Sequence, residues 1–250
     1  MSIVIKNNKQ IDSMRRAGCI VAEALEIAKQ VIVPGIKTQE IDKMIEEHIL
    51  KRGGLPSFKG YNGFPASACT SINSEVVHGI PGSTILKDGD IISIDVGACI
   101  NGFHGDAADT FAVGNVSDDA KKLILVTRQS FFKGIEYAKE GNRLLDISSA
   151  IQKYVESNGF SIVRKFVGHG IGSQIHEEPQ IPNYGPAGHG PRLSKGMTLA
   201  IEPMVNQGQY DVRILSNNWT VVTVDGSLSA HYENTILITE DEPEILTKLG

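Results

Sequence analysis

The sequence predicts an α/β (α+β) fold in which two similar halves share one sheet. Three observations carry that prediction. Apolar residues recur with helical period in four stretches, with strand-like runs between them. The two halves echo one another under a fixed shift. No linker-like Ser/Pro/Gly tract separates them, so they should share one core as a single domain over residues 1–250.

The elements follow in order. Across residues 9–32, Ile11, Met14, Gly18, Val21, Leu25, Ala28 and Ile32 recur every three or four positions, one face of a long helix stopped by Pro34-Gly35. A second helix is expected from Thr38, its N-cap, to Gly53-Gly54. Strand-like runs follow at 67–72, 91–100 and 110–113. Ser117 caps a third helical pattern running to Gly141, and a fourth covers 144–158. The remainder reads as strands at 161–166, 197–201, 219–224 and 234–239, separated by Gly, Pro and Asn turns.

Sliding the chain by 106 residues places Gly35, Ile41, Ile45, Ile49 and Gly53 on Gly141, Ile147, Ile151, Val155 and Gly159. A shift of 107 places LKDGDIISID (86–95) on LSKGMTLAIE (193–202), with a carboxylate last in both. The halves are therefore expected at roughly 9–113 and 117–239, with ligands gathered near the pseudo-axis.

Composition narrows the functional classes. Net charge is −5 with no basic run, which argues against nucleic acid and anionic membrane as partners. The three cysteines, Cys19, Cys69 and Cys99, never form C-x-x-C, against both a zinc–thiolate site and a disulfide framework. MSIVIKNNKQ has no apolar signal core and no run of about 18 apolar residues occurs. A cytoplasmic address is expected.

Chemistry concentrates on carboxylates near apolar strand ends. Asp95 interrupts the apolar run 91–100. Asp106 lies eleven residues on, past an Asn101-Gly102 turn, a spacing that suits a hairpin with both acids on one side. Glu202 ends MTLAIE and Glu233 begins ENTILIT. Taken singly, each acid could cap a turn or pair with a lysine. Buried together they need a cation. His169, in the glycine-rich loop GHGIG, would add one imidazole. Oxygen-rich ligation with one imidazole and no thiolate favours Mn, Fe, Co or Zn. Four carboxylates suit a pair of ions about 3.5–4 Å apart, as in two-metal hydrolases. GHGIG could instead cradle an anion, but no Lys-Ser/Thr follows it and GxGxxG is not met. No G-x-S-x-G occurs, and neither Cys69 nor Cys99 has an activating neighbour in sequence.

With Asp95, Asp106, His169, Glu202 and Glu233 in that order, the sequence resembles the type I methionine aminopeptidases. The segments PGIKTQEID, CTSINSEVVHGIP, LKDGDIISIDV, GFHGDAADTFAVG, GHGIGSQIHEEPQIPNYG, GMTLAIEPM and WTVVTVDGSLSAHYENTILIT carry the likeness over nearly the whole chain. The resemblance implies the pita-bread fold, two pseudo-symmetric halves sharing a curved antiparallel sheet covered by helices. It also implies excision of the initiator methionine from nascent chains with a small second residue, through a hydroxide bridging two divalent ions (Co, Mn, Fe or Zn). In that pattern Asp106 and Glu233 bridge the ions, Asp95 holds one, and His169 and Glu202 hold the other. Glu202 also handles a proton, while His78 and His176 act on the scissile peptide. Tyr61, Phe64, Cys69, Trp219 and Ile175 form the methionine pocket. The implied partners are nascent N-termini at the ribosome, and a monomer is expected.

Two positions depart from the family's pattern. Ile175 stands where Phe is frequent, implying an altered pocket shape. Asn234 stands where His is frequent, bearing on metal tuning only. The related prolidases and aminopeptidases P carry an N-terminal domain for which this chain has no room. The type II enzymes carry an insertion that the 25 residues between His176 and Glu202 cannot hold. A pseudoenzyme serving as a binding module would be expected to lack ligands, and none of the five is missing. A dinuclear phosphatase or nuclease fits poorly with the pocket aromatics.

Overall fold

The computed structural model describes residues 2–249. Four helices and one large sheet frame the molecule. Helix α1 (Asn8–Val31) starts at a capping box. Asn7 Oδ1 accepts from the Gln10 N–H and Gln10 Oε1 accepts from the Asn7 N–H. Helix α2 (Thr38–Lys51) is capped by Glu40, which accepts from the Lys37 N–H at 2.9 Å. Thr38 is thus the first helical residue and not the cap. Its hydroxyl bridges instead to the N–H and C=O of Gly82.

Helix α3 (Asp118–Ile135) is capped by Ser117 as expected. It ends before Gly141 because the N–H groups of Tyr137 and Ala138 turn back to Gly134 and Ile135, tightening the chain and burying Ala138. Helix α4 (Leu144–Ser157) closes on Asn158. Among the described residues no helix is long and apolar enough to cross a membrane.

The strands are, in chain order, β1 (Leu55–Pro56), β2 (Ala68–Ile72), β3 (Glu75–Val77), β4 (Ile91–Ile100), β5 (Phe103–Ala112), β6 (Ser161–Ile162), β7 (Gly168–Gly170) and β8 (Glu177–Ile181). They continue with β9 (Thr198–Ile201), β10 (Met204–Asn206), β11 (Val212–Ile214), β12 (Val221–Thr223), β13 (Ser229–His231), β14 (Glu233–Leu237) and β15 (Glu244–Ile245). The main antiparallel sheet runs β1-β4-β5-β14-β9-β7-β8, with β2 beside β4 and β15 beside β14. Two small sheets, β13-β10-β6 and β11-β12-β3, flank it.

Strand β5 begins seven residues before the apolar run at 110–113, because His104, Asp106 and Asp109 interrupt the alternation that marks a strand. The Asn101-Gly102 turn, with φ of 52° and 77°, joins it to β4. The run at 161–166 pairs over only two residues.

Alternation along the strands divides the sheet into two faces. Ile92, Ile94, Val96 and Ala107 pack with Ile41, Ile45 and Ile49 of α2. Leu199, Ile201 and Ile236 pack with Ile147, Ile151 and Val155 of α4. All four helices therefore cover one face of the main sheet. The residues between those core positions point the other way.

Candidate metal centre

Sheet register alone gathers the predicted donors. In the β4–β5 hairpin Asp95 faces Ala108 and Asp106 faces Gly97, so both carboxylates rise diagonally from the helix-free face. On the other side of β5, Glu233 also faces Ala108. Asn234 faces Ile201, so Glu202 comes alongside Glu233 one step further on. His169 faces Ala200 and so shares the side of Glu202. Five donors, distant in sequence, form one row across β4, β5, β14, β9 and β7.

His169 sits in a strand and not in a loop. The glycines around it serve close packing. A Cβ on Gly168 would collide with the Ala200 carbonyl oxygen, and one on Gly170 with that of Glu178. The ring is buried, and its Nδ1–H donates to Gly170 O at 2.9 Å. That bond fixes the tautomer and turns a free Nε2 lone pair to the carboxylates, 3.5 Å from Glu202 Oε1 and 4.0 Å from Asp106 Oδ2.

Among the described residues the cluster lacks a compensating charge. Asp106 and Glu233 are 3 % and 2 % exposed, and among the described residues only His169 and His231 approach the acids at ion-pair distance. Asp95 Oδ1, Asp106 Oδ1 and Glu233 Oε1 are buried without a hydrogen-bond partner. Desolvation raises the Asp95 carboxyl to about 7. Asp106 is raised well above the ordinary range by desolvation and then by Glu233 and Asp95. Glu202 and Glu233 are raised for the same two reasons, burial first and neighbouring acids second. Burial lowers His169 to about 3, so its imidazole is neutral. Orphaned oxygens around a neutral imidazole are a donor set suited to divalent cations. Ligand atoms of Asp106, His169 and Glu233 lie within 4.8 Å of one another.

A cavity of about 250 Å³ opens over this row. Tyr61, Phe64, Cys69 and Trp219 line it together with His78 and His176. His176 Nδ1 is 2.9 Å from the Tyr61 hydroxyl, and its ring centroid lies 4.3 Å from that of His169. Glu177, next in sequence, anchors this segment by accepting from Lys6 Nζ at 2.6 Å and from the Gln174 N–H at 3.1 Å. His78 has φ of 59°, an uncommon value for a non-glycine residue, and packs edge-on to Phe166 and Trp219. Burial lowers it to about 4.

The two positions that depart from the family's pattern both lie outside the cavity lining. Ile175 is buried in the apolar cluster that includes Phe58, Phe64 and Cys69 and is not among the residues that line the cavity. Asn234 points to the helix-covered face, where its Oδ1 accepts from the Thr247 hydroxyl at 2.8 Å. Phe58, Asn62 and His231 were not legible as part of the site. The signal for His231 was its place two residues before Glu233, hence on the same side of an extended chain. Phe58 and Asn62 sit in the aromatic-rich stretch FKGYNGF, which pointed there only through Tyr61 and Phe64.

Residues 12–240 match the model of metallopeptidase family M24. The chain is 61 % identical over 245 residues to a methionine aminopeptidase of Clostridium perfringens, covering 98 % of each. It is 58 % identical over 247 residues to methionine aminopeptidase 1 of Bacillus subtilis, covering 99 % of this chain and all of the relative. The crystal structure of methionine aminopeptidase from Thermotoga maritima superposes with a TM-score of 0.98 at 50 % identity, over 99 % of this chain and all of the other. The prolidase of Pyrococcus horikoshii, 23 % identical with a TM-score of 0.78, covers 99 % of this chain and 64 % of its own and shares the fold. The chain belongs to metallopeptidase family M24, metal-dependent enzymes with the pita-bread fold, and within it to the methionine aminopeptidases.

Proposed function

We propose that this enzyme removes the initiator methionine from nascent polypeptides whose second residue is small, holding two divalent cations drawn from Co, Mn, Fe and Zn. The observation that carries this reading is the row of Asp95, Asp106, Glu233, Glu202 and His169 on the floor of an aromatic-lined cavity. Asp106 and Glu233 would bridge the cations, Asp95 would hold one, and His169 and Glu202 would hold the other. When bound, the cations supply acidification of a water near neutral pH and polarisation of the substrate carbonyl.

The remaining steps belong to the protein's own groups. Phe64, Cys69, Tyr61 and Trp219 take up the methionine side chain, and Phe58 closes the pocket beside them. The acidic row attracts the substrate's amino terminus, which limits cleavage to one residue. The Tyr61 hydroxyl donates to His176 Nδ1, leaving Nε2–H to donate to the oxygen that gains charge as the peptide carbonyl is attacked. His78, held neutral by burial, donates beside it without adding positive charge. Glu202 accepts the proton released by the attacking water and returns it to the departing amide nitrogen. The proposed setting is the cytoplasm, on chains leaving the ribosome, with a monomer of one domain as the proposed unit.

The test is hydrolysis by metal-stripped protein resupplied with Mn, Fe or Co. Cleavage of Met-Ala-X and not of Met-Lys-X is expected. Failure to cleave with any of these ions sinks the reading.

A further inference from the structure

One buried imidazole near the acids has no place in the five-residue set. His231 is 2 % exposed, and its Nε2 has no hydrogen-bond partner. That nitrogen lies 3.5 Å from Glu233 Oε2 and 3.9 Å from Glu202 Oε2. Its main chain is clamped from both sides by Thr110. The His231 N–H donates to Thr110 Oγ1 at 3.0 Å, and the Thr110 hydroxyl donates back to His231 O at 2.8 Å. Pairing of His231 with Met204 in β10–β13 fixes it further. The ring is aimed at the carboxylates by a main chain that has little freedom to turn away.

The donor geometry falls into two overlapping sets. Ligand atoms of Asp106, His169 and Glu233 lie within 4.8 Å of one another, and so do those of Asp95, His231 and Glu233. The sets share Glu233, and each combines two carboxylates with one imidazole. A lone pair pointing at two carboxylates without a cation between them would be repulsive, whereas the same lone pair is a ligand once an ion is present.

We propose that His231 is a sixth protein ligand, giving the Asp95–Glu233 side of the centre an imidazole nitrogen of its own. Both cation positions are then mixed nitrogen–oxygen sites. The Asp95 side should favour Co, Fe or Zn over Mn more strongly than carboxylates alone would, because imidazole suits the later metals. This assignment rests on the five-residue centre proposed above. The competing role for His231 is a hydrogen bond from Nε2–H to Glu233 or Glu202, which a glutamine could also make.

Calorimetric titration of the metal-stripped full chain with Co²⁺ separates these roles. In His231→Gln one of two binding events should weaken by at least about tenfold, the lower end of what even a residue supporting a ligand is worth. The other event should stay put. His169→Ala should weaken the complementary event. X-ray absorption on the wild-type protein loaded with two cobalt ions gives a readout that needs no variant. Scattering should correspond to one imidazole per cobalt, two histidines over two ions. Unchanged Co²⁺ affinity in His231→Gln, with half an imidazole per cobalt in the wild type, overturns the sixth ligand while the five-residue centre stands. If His169→Ala also leaves both events unchanged, the centre itself is wrong.

Discussion

His169 Nε2 stands 3.5 Å from Glu202 Oε1, while its Nδ1–H is committed to Gly170 O. One nitrogen is therefore committed to orientation and the other is left free, the arrangement that metal-binding histidines adopt. Replacing His169 by Ala removes the nitrogen proposed as a ligand beside Glu202. Co²⁺ affinity and turnover on Met-Ala-X should fall together, each by at least about tenfold. A variant with lowered affinity but full turnover at saturating metal would contradict this ligand assignment.

The acids also set how the metal-free protein responds to pH. Asp95 is raised from 3.8 to about 7, and Asp106, Glu202 and Glu233 are raised as well. The native state then holds protons that the unfolded chain has released, so stability falls as pH rises through the folded-state values. His169 and His231, both lowered to about 3, act in the opposite sense, adding stability as pH rises to their ordinary 6.5 and nothing beyond it. Between about pH 6.5 and 8 only the acids contribute, up to about 1.4 kcal/mol per pH unit for each carboxyl still titrating. Thermal melts of metal-stripped protein should show Tm decreasing across that interval. Mn²⁺ or Co²⁺ should flatten the decrease, because bound cations replace the missing positive charge.

The pattern behind this site was partly visible in the sequence, and the boundary has physical causes. Asp95 and Asp106 announced a hairpin because strand alternation and an Asn-Gly turn are local signals. Helices α1 and α4 were legible from their apolar spacing. GHGIG was not legible as a strand, since Gly168–Gly170 has no β propensity of its own and is held extended by pairing with β8 and β9. His231 reads locally as a histidine in a buried strand. Only the approach of β5 and the lie of Glu202 beside Glu233 turn its position into a site.

The contact between His176 Nδ1 and the Tyr61 hydroxyl, 2.9 Å, ties one wall of the cavity to another. Removing the hydroxyl in Tyr61→Phe should leave the aromatic surface for methionine in place and release the tautomer of His176. KM should change little while kcat drops about tenfold. His176→Ala should cost more, about a hundredfold or greater in kcat, as expected for an oxyanion donor. Steady-state kinetics on Met-Ala-X read both. An equal rise in KM for the two variants, with kcat unchanged, would make this pair a binding contact only.

The close packing of β7 makes the last prediction. A Cβ on Gly170 would collide with Glu178 O and one on Gly168 with Ala200 O, both backbone atoms of paired strands that cannot swing aside as a side chain could. Gly170→Ala must therefore push β7 away from β8, and His169 rides on that strand. The expected cost is about 1–3 kcal/mol, the usual penalty for overpacking. Co²⁺ affinity should fall in parallel, because the Nε2 position moves with the main chain. Gly82→Ala is the control, since a Cβ there meets nothing within 4 Å. Calorimetric melts and Co²⁺ titrations of the two variants decide the matter. If Gly170→Ala matches Gly82→Ala in both Tm and metal affinity, the glycines of this strand are not what holds His169 against the acids.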